Sequence, residues 1–81
     1  MTNENKYNYE ELYSKLTKDI ANTVVLYRKH NGITNKQLAE DLGVATSLIS
    51  RIENGSKNIS IKTLSKVLAR MNATIEIKKN D

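Results

Sequence analysis

From Asn8 onward, apolar residues recur at Leu12, Leu16, Ile20, Val24 and Tyr27, with spacings of four, four, four and three. That rhythm holds them on one face of a helix and predicts helix from residue 9 to about residue 30. One helix or two fits the pattern. Thr17 with Asp19 offers a fresh N-cap, which favours a short leading helix at 9–16 and a longer one at 18–30. Asn31-Gly32 then ends the segment, because glycine enters the left-handed conformation that closes a helix. Thr34 followed three residues later by Gln37 is a capping-box pattern, and Leu38, Ala39 and Leu42 supply the apolar face of a helix of barely two turns up to Gly43. Beyond Gly43-Val44-Ala45, Ile49 and Ile52 sit at helical spacing within residues 46–53, and Asn54-Gly55 stops that element. Residues 54–58 are polar and read as a loop. Ser60 caps a further helix to about Met71, with Ile61, Leu64, Val67, Leu68 and Met71 facing inwards.

After Asn72 the period changes. Ala73-Thr74-Ile75-Glu76-Ile77-Lys78 alternates small or apolar residues with polar ones, the pattern of a half-buried strand. A lone strand leaves its backbone groups unpaired, and no other segment has a strand pattern. The economical partner is the same strand of a second copy, with Ile75 and Ile77 turned towards the helices and Val67 and Met71 helping to form the dimer interface. A frayed tail that contains two isoleucines is the other reading. The expected architecture is therefore all-α, with four to five helices. Residues 1–8 form a flexible arm, residues 9–72 the helical domain and residues 73–79 a dimerisation strand.

Composition narrows the function. A chain of 81 residues is one domain with a small core. Its 38 % hydrophobic and 27 % charged residues suit a folded globule rather than a disordered chain. Without cysteine there is no disulfide, thiolate nucleophile or cysteine zinc site, and the single His30 builds no histidine metal cluster. Apolar runs of four residues are far short of the roughly 20 that span a bilayer, and the polar start is no secretion signal, so a cytoplasmic protein is expected. No Ser-His-Asp set and no glycine-rich phosphate loop after a strand is evident, which argues against an enzyme and against a cofactor. The formal charge of +4 is unevenly placed: residues 1–27 carry −1, whereas residues 28–79 carry +6. A basic excess that begins at Arg28 favours an anionic partner for the middle and C-terminal parts, although lysines also serve simply to solubilise a small domain.

Two short helices separated by Gly43 and a three-residue turn have the helix-turn-helix spacing, in which the first helix braces across a DNA backbone while the second enters the major groove. With Ile33-Thr34, Gln37-Leu38-Ala39, Leu42-Gly43-Val44, Ile49 to Gly55 and the Ile61, Leu64, Leu68 pattern standing in order, residues from about Ile20 to Met71 resemble the lambda-repressor-like, or XRE-type, helix-turn-helix family. The resemblance implies double-stranded DNA as partner and no cofactor. It makes Asn35 a phosphate contact at a helix N-terminus, and Thr46, Ser47, Ser50 and Arg51 the exposed third-helix positions that read base edges. Arg51 is the strongest candidate, since a guanidinium forks onto guanine O6 and N7; a phosphate-bound or solvated Arg51 is the alternative. Lys36, Lys57, Asn54 and Ser56 flank the same face as backbone contacts. Resemblance also pairs Arg28 with Glu53 as a structural ion pair. Ala45 stands where the family often has a capping Ser or Thr, which weakens the start of the third helix.

The layout, helices followed by one terminal strand, is similar to HipB-type antitoxins of toxin–antitoxin operons. That likeness implies a homodimer on a palindromic operator, repression of its own promoter, association with the nucleoid when DNA-bound and a toxin partner. Phage-type repressors and controller proteins of restriction–modification systems fit the helices equally well. A protein-binding module that neutralises a partner with little DNA binding is the alternative from a different class.

Overall fold

The computed structural model describes residues 8–56, 58–77 and 79. Four helices follow in order: α1 (Tyr9–His30), α2 (Asn35–Leu42), α3 (Thr46–Glu53) and α4 (Ile61–Arg70). The segment expected as two helices is one. The Thr17 hydroxyl donates to the Ser14 carbonyl at 3.0 Å within the helix, and Asp19 accepts from Lys15 Nζ at 2.7 Å, so neither residue caps a new start. The cap lies earlier, at Asn8, whose Oδ1 accepts from the Glu11 N–H at 2.7 Å. Asn8 thus belongs to α1 rather than to an arm; the remainder of the expected arm lies outside the described residues.

The 22 residues of α1 span about 33 Å, far longer than the two-turn α3 that packs on it. That mismatch decides which of its apolar residues reach the core. Ala21 and Val24 are buried, Ile20 and Tyr27 pack against the core's edge, and Leu12 and Leu16 lie beyond the reach of α2–α4 with 41 % and 44 % of their surface exposed. The core itself joins Val24, Leu38, Ala39, Leu42, Ile49, Ile52, Val67 and Met71. Its four most completely buried side chains, Val24, Leu38, Ile49 and Val67, come one from each helix. In α4 the apolar stripe runs through Leu64, Val67, Leu68 and Met71. Ile61, at the first position of the helix and at the edge of that stripe, is 82 % exposed instead of inward.

Helix ends are closed by local chemistry. In α2, Thr34 Oγ1 accepts from the Gln37 N–H at 3.1 Å while Gln37 Oε1 accepts from the Thr34 N–H at 2.8 Å, a complete capping box. Gly43 ends α2 at φ +72°, where its own N–H reaches the Glu40 carbonyl and the Val44 N–H reaches Ala39 at 2.9 Å. In that left-handed conformation a side chain is strained, and a Cβ would also meet Arg70 Nη1 at 2.7 Å. Asn72 closes α4 in the same conformation at φ 58°.

The expected C-terminal strand does not form in the single chain. The Ala73 N–H donates to the Leu68 carbonyl at 2.9 Å, so the first residue of the expected strand is used in closing α4. Residues 73–77 have no regular secondary structure, and no strand is present among the described residues to supply a ladder. Ile75 and Ile77 are 48 % and 95 % exposed and stay outside the core. Val67 and Met71, expected at a dimer interface, are instead 1 % and 6 % exposed inside the chain's own core, because the α4 stripe is needed to cover α1–α3.

Gly43→Ala is expected to lower stability by about 1–2 kcal/mol, the cost of a left-handed alanine, since the Arg70 guanidinium can swing aside. Urea denaturation of the two proteins measures it, and equal midpoints would show that this turn tolerates a side chain.

Candidate nucleic-acid interface

Helices α2 and α3 meet through Leu38, Ala39, Leu42, Ile49 and Ile52, which commits one face of each to the core. The opposite edge of α3 is polar. Thr46, Ser47 and Arg51 are exposed and Ser50 is half-buried, and the four fall at helical spacing on one side. The exposed Lys36 and half-buried Asn35 open α2, while Asn54 and Ser56 follow α3; Lys57 lies outside the described residues. Ala45 occupies the N-cap of α3 without any side-chain cap bond, and its carbonyl accepts from the Leu48 N–H at 3.0 Å.

Three polar contacts hold this surface in place. The Arg28 guanidinium of α1 forks onto Glu53 at the end of α3, Nε to Oε2 at 2.9 Å and Nη2 to Oε1 at 3.1 Å, and Nη1 reaches the Ile33 carbonyl at 3.4 Å. The side chains of the pair are 23 % and 12 % exposed. Hydrogen bonding to Glu53, opposed by desolvation and reinforced by the carboxylate's negative charge, raises the Arg28 pKa above its ordinary value. The second contact runs from Asn35 Nδ2 to Ser50 Oγ at 3.2 Å and links the start of α2 to the exposed edge of α3. In the third, Arg51 Nη2 donates to the Asn58 carbonyl at 3.3 Å, which draws the arginine towards the loop before α4.

The structure brings Asn35, Ser50 and Arg51 onto one surface and leaves Thr46 and Ser47 at its open end. It sets Val67 and Met71 in the core, away from that surface. Sequence reasoning missed the Asn35–Ser50 and Arg51–Asn58 contacts. Neither has a local signal: the first joins residues 15 apart on different helices, and the second uses a backbone carbonyl that every residue possesses.

A short helix capped by Thr34, a left-handed Gly43 turn and a second short helix with one uncommitted polar edge define a helix-turn-helix unit. The helix-turn-helix family matches residues 26–77, and the chain belongs to it, as an XRE-type member and hence by class a DNA-binding regulator. Among curated relatives, the antitoxin HipB of Escherichia coli O6:H1 is 30 % identical over 69 residues, 85 % of this chain and 71 % of that protein. The antitoxin HipB of Escherichia coli K12 is 29 % identical over the same share of this chain and 76 % of its own length. An uncharacterized HTH-type transcriptional regulator of Haemophilus influenzae is 36 % identical over 72 residues, covering 88 % of this chain and 74 % of the relative. The similarity to the two HipB relatives extends over most of the chain. Among the described residues, no helix is long and apolar enough to cross a membrane.

Arg28→Ala is expected to lower Tm clearly, because it strands the mostly buried Glu53 carboxylate and removes a donor from Ile33. Asp19→Ala, which breaks an exposed i,i+4 pair with Lys15, is expected to change Tm little. Circular-dichroism melts rank the two, and the reverse order would remove the Arg28–Glu53 pair from the account of how α3 is held.

Proposed function

We propose that the chain is a sequence-specific double-stranded DNA-binding transcriptional regulator that binds a palindromic operator as a homodimer, and that it is the autorepressing antitoxin of a toxin–antitoxin operon. The observation that carries the reading is the polar edge of α3. It presents Thr46, Ser47, Ser50 and Arg51 outward on a helix whose opposite face is locked into the core by Ile49 and Ile52. A helix held in that way enters a major groove as a rigid body.

Within the 9–72 domain, Arg51 is the principal base reader, forking onto guanine O6 and N7, with Thr46, Ser47 and Ser50 beside it. Asn35, Lys36, Asn54, Ser56 and Lys57 hold the sugar–phosphate backbone, where helix N-termini and lysines supply donors and positive charge. The work is binding rather than catalysis, performed in the cytoplasm on the nucleoid. The antitoxin role draws its support from the two HipB relatives, which are antitoxins by name, and implies a toxin as protein partner.

Dimerisation is supported by the tail. Ile75 and Ile77 are exposed apolar side chains on a segment whose backbone has no ladder, and a second copy would cover both. Two half-sites about 34–36 Å apart then follow from twofold symmetry.

Gel-shift titration on the chain's own promoter against scrambled DNA tests the reading. If a dimer neutralises about 6–10 phosphates, affinity falls about 10³–10⁵-fold between 50 and 200 mM salt. Arg51→Ala is expected to relax base preference by about 1–3 kcal/mol at one position of each half-site. Binding no tighter than to scrambled DNA at low salt would reassign the surface to a protein partner. For the dimer, Ile75→Lys with Ile77→Lys is expected to give monomers in sedimentation, and an unchanged mass would place the interface elsewhere.

A further inference from the structure

Two apolar surfaces of the chain are left without cover. The first is the overhanging start of α1, where Tyr9 and Tyr13 are 79 % and 40 % exposed beside the half-exposed Leu12 and Leu16. Their i, i+3, i+4, i+7 spacing sets all four on one face, which runs on through Ile20 into an open pocket lined also by Thr17, Ile59 and Leu64. The family match begins at residue 26, so this face precedes the helix-turn-helix unit. The second surface is the tail, whose Ile75 and Ile77 lie outside the core. Within one chain the two surfaces do not cover each other. Pairing of one tail with another would not be enough, because a two-stranded ribbon is marginal until a helix or further strands cover its apolar face. Val67 and Met71 cannot supply that cover, being buried in their own core.

We propose that the Tyr9–Leu16 face of α1 receives the Ile75–Ile77 tail of a second copy, and that the twofold repeat of this seam joins the dimer. The inference rests on the homodimer of the reading above and names the surface that covers the tail. In an extended tail, Ile75 and Ile77 share one side about 6.6 Å apart, and Leu12 and Leu16 lie about 6 Å apart along the helix, so each isoleucine meets one leucine. Charge is complementary: Glu10 and Glu11 stand exposed at the Tyr9 end, and Lys78 and Lys79 follow Ile77 in the sequence. The tail therefore runs antiparallel to α1, with Ile77 by Leu12 and Ile75 by Leu16. Area agrees as well. Two isoleucines fall well short of the roughly 800 Å² per partner of a stable interface, and the two leucines and two tyrosines, the latter about 150–250 Å² each in full, bring the total near it. Nucleic acid does not suit this face, since the same two carboxylates would meet phosphate.

The chain has no cysteine, so engineered pairs report the seam cleanly. Full-length chains carrying Leu12→Cys or Leu16→Cys are mixed with chains carrying Ile75→Cys or Ile77→Cys, oxidised, and separated by mass. Disulfides between the two kinds of chain are expected to dominate, strongest for positions 12 with 77 and 16 with 75. Disulfides mainly between two α1 positions would show that overhang meets overhang, and disulfides mainly between two tail positions that tails meet only each other. Either result would overturn the proposal, as would the absence of any disulfide in all four mixtures. Sedimentation supplies a second readout. Leu12→Lys with Leu16→Lys, both outside the core, is expected to leave the circular-dichroism spectrum unchanged and to weaken dimerisation about 100-fold or more, because both seams lose their apolar floor. A dimer that survives these lysines removes the seam, leaves the homodimer reading standing and frees the face for another partner such as a toxin. A wild type that stays monomeric at every concentration removes the homodimer reading and the seam together.

Discussion

Burial of one side chain from each helix at a common point is the constraint on which the remaining structure depends. Val24, Leu38, Ile49 and Val67 are 0–1 % exposed and lie within one core. Helices α2 and α3 are eight residues each, well below the length at which an isolated helix persists in water. They exist because that core rewards their formation, and α1 supplies the long surface on which it is assembled. Each element therefore depends on the others, as expected of a small domain whose net stability is the narrow difference between apolar burial and chain entropy. The consequence for function is rigidity at α3, the helix with the least local support: its N-cap is an alanine, and its orientation is left to Ile49, Ile52 and the Arg28–Glu53 fork.

Polar contacts then convert a packed helix into an addressed surface. Arg28 reaches across from α1 and ties down the C-terminal end of α3, and Asn35 reaches from α2 to its middle. Arg51 leans on the Asn58 carbonyl and is held near the loop that flanks the same face. These bonds differ in cost. The Arg28–Glu53 pair is mostly shielded from water, so losing one partner leaves an uncompensated charge, whereas the Arg51 contact is exposed and yields readily to a better acceptor. Such a division suits a reader whose scaffold must stay fixed while its tip exchanges water for a base edge.

Much of this was legible because the signals are local. Thr34 and Gln37 three apart, Gly43 at the turn and Ser60 before an apolar stripe each act through their own neighbours, and the structure carries all of them as caps and turn. Where residues were misjudged, the outcome was settled by elements distant in sequence. Leu12 and Leu16 share the spacing of Val24, yet stay half-exposed because no other helix is long enough to reach them. Ile61 has the residue type of a core position and the placement of a helix end. The alternating tail has the period of a strand, but a period specifies which side a residue faces and not whether a partner is present.

The sequence by itself determined where α2, α3 and α4 begin and end, that α2 and α3 are joined by a left-handed glycine turn, and which face of each helix is apolar. Those properties depend on bonds and side-chain spacing within a few residues. Only the tertiary structure decided which apolar residues of α1 and α4 are covered, that the expected strand has no ladder within one chain, and that Asn35 and Ser50 meet. The physical reason is reach: coverage, strand pairing and contacts between helices require a second element at a given distance and angle, and no local pattern encodes that separation.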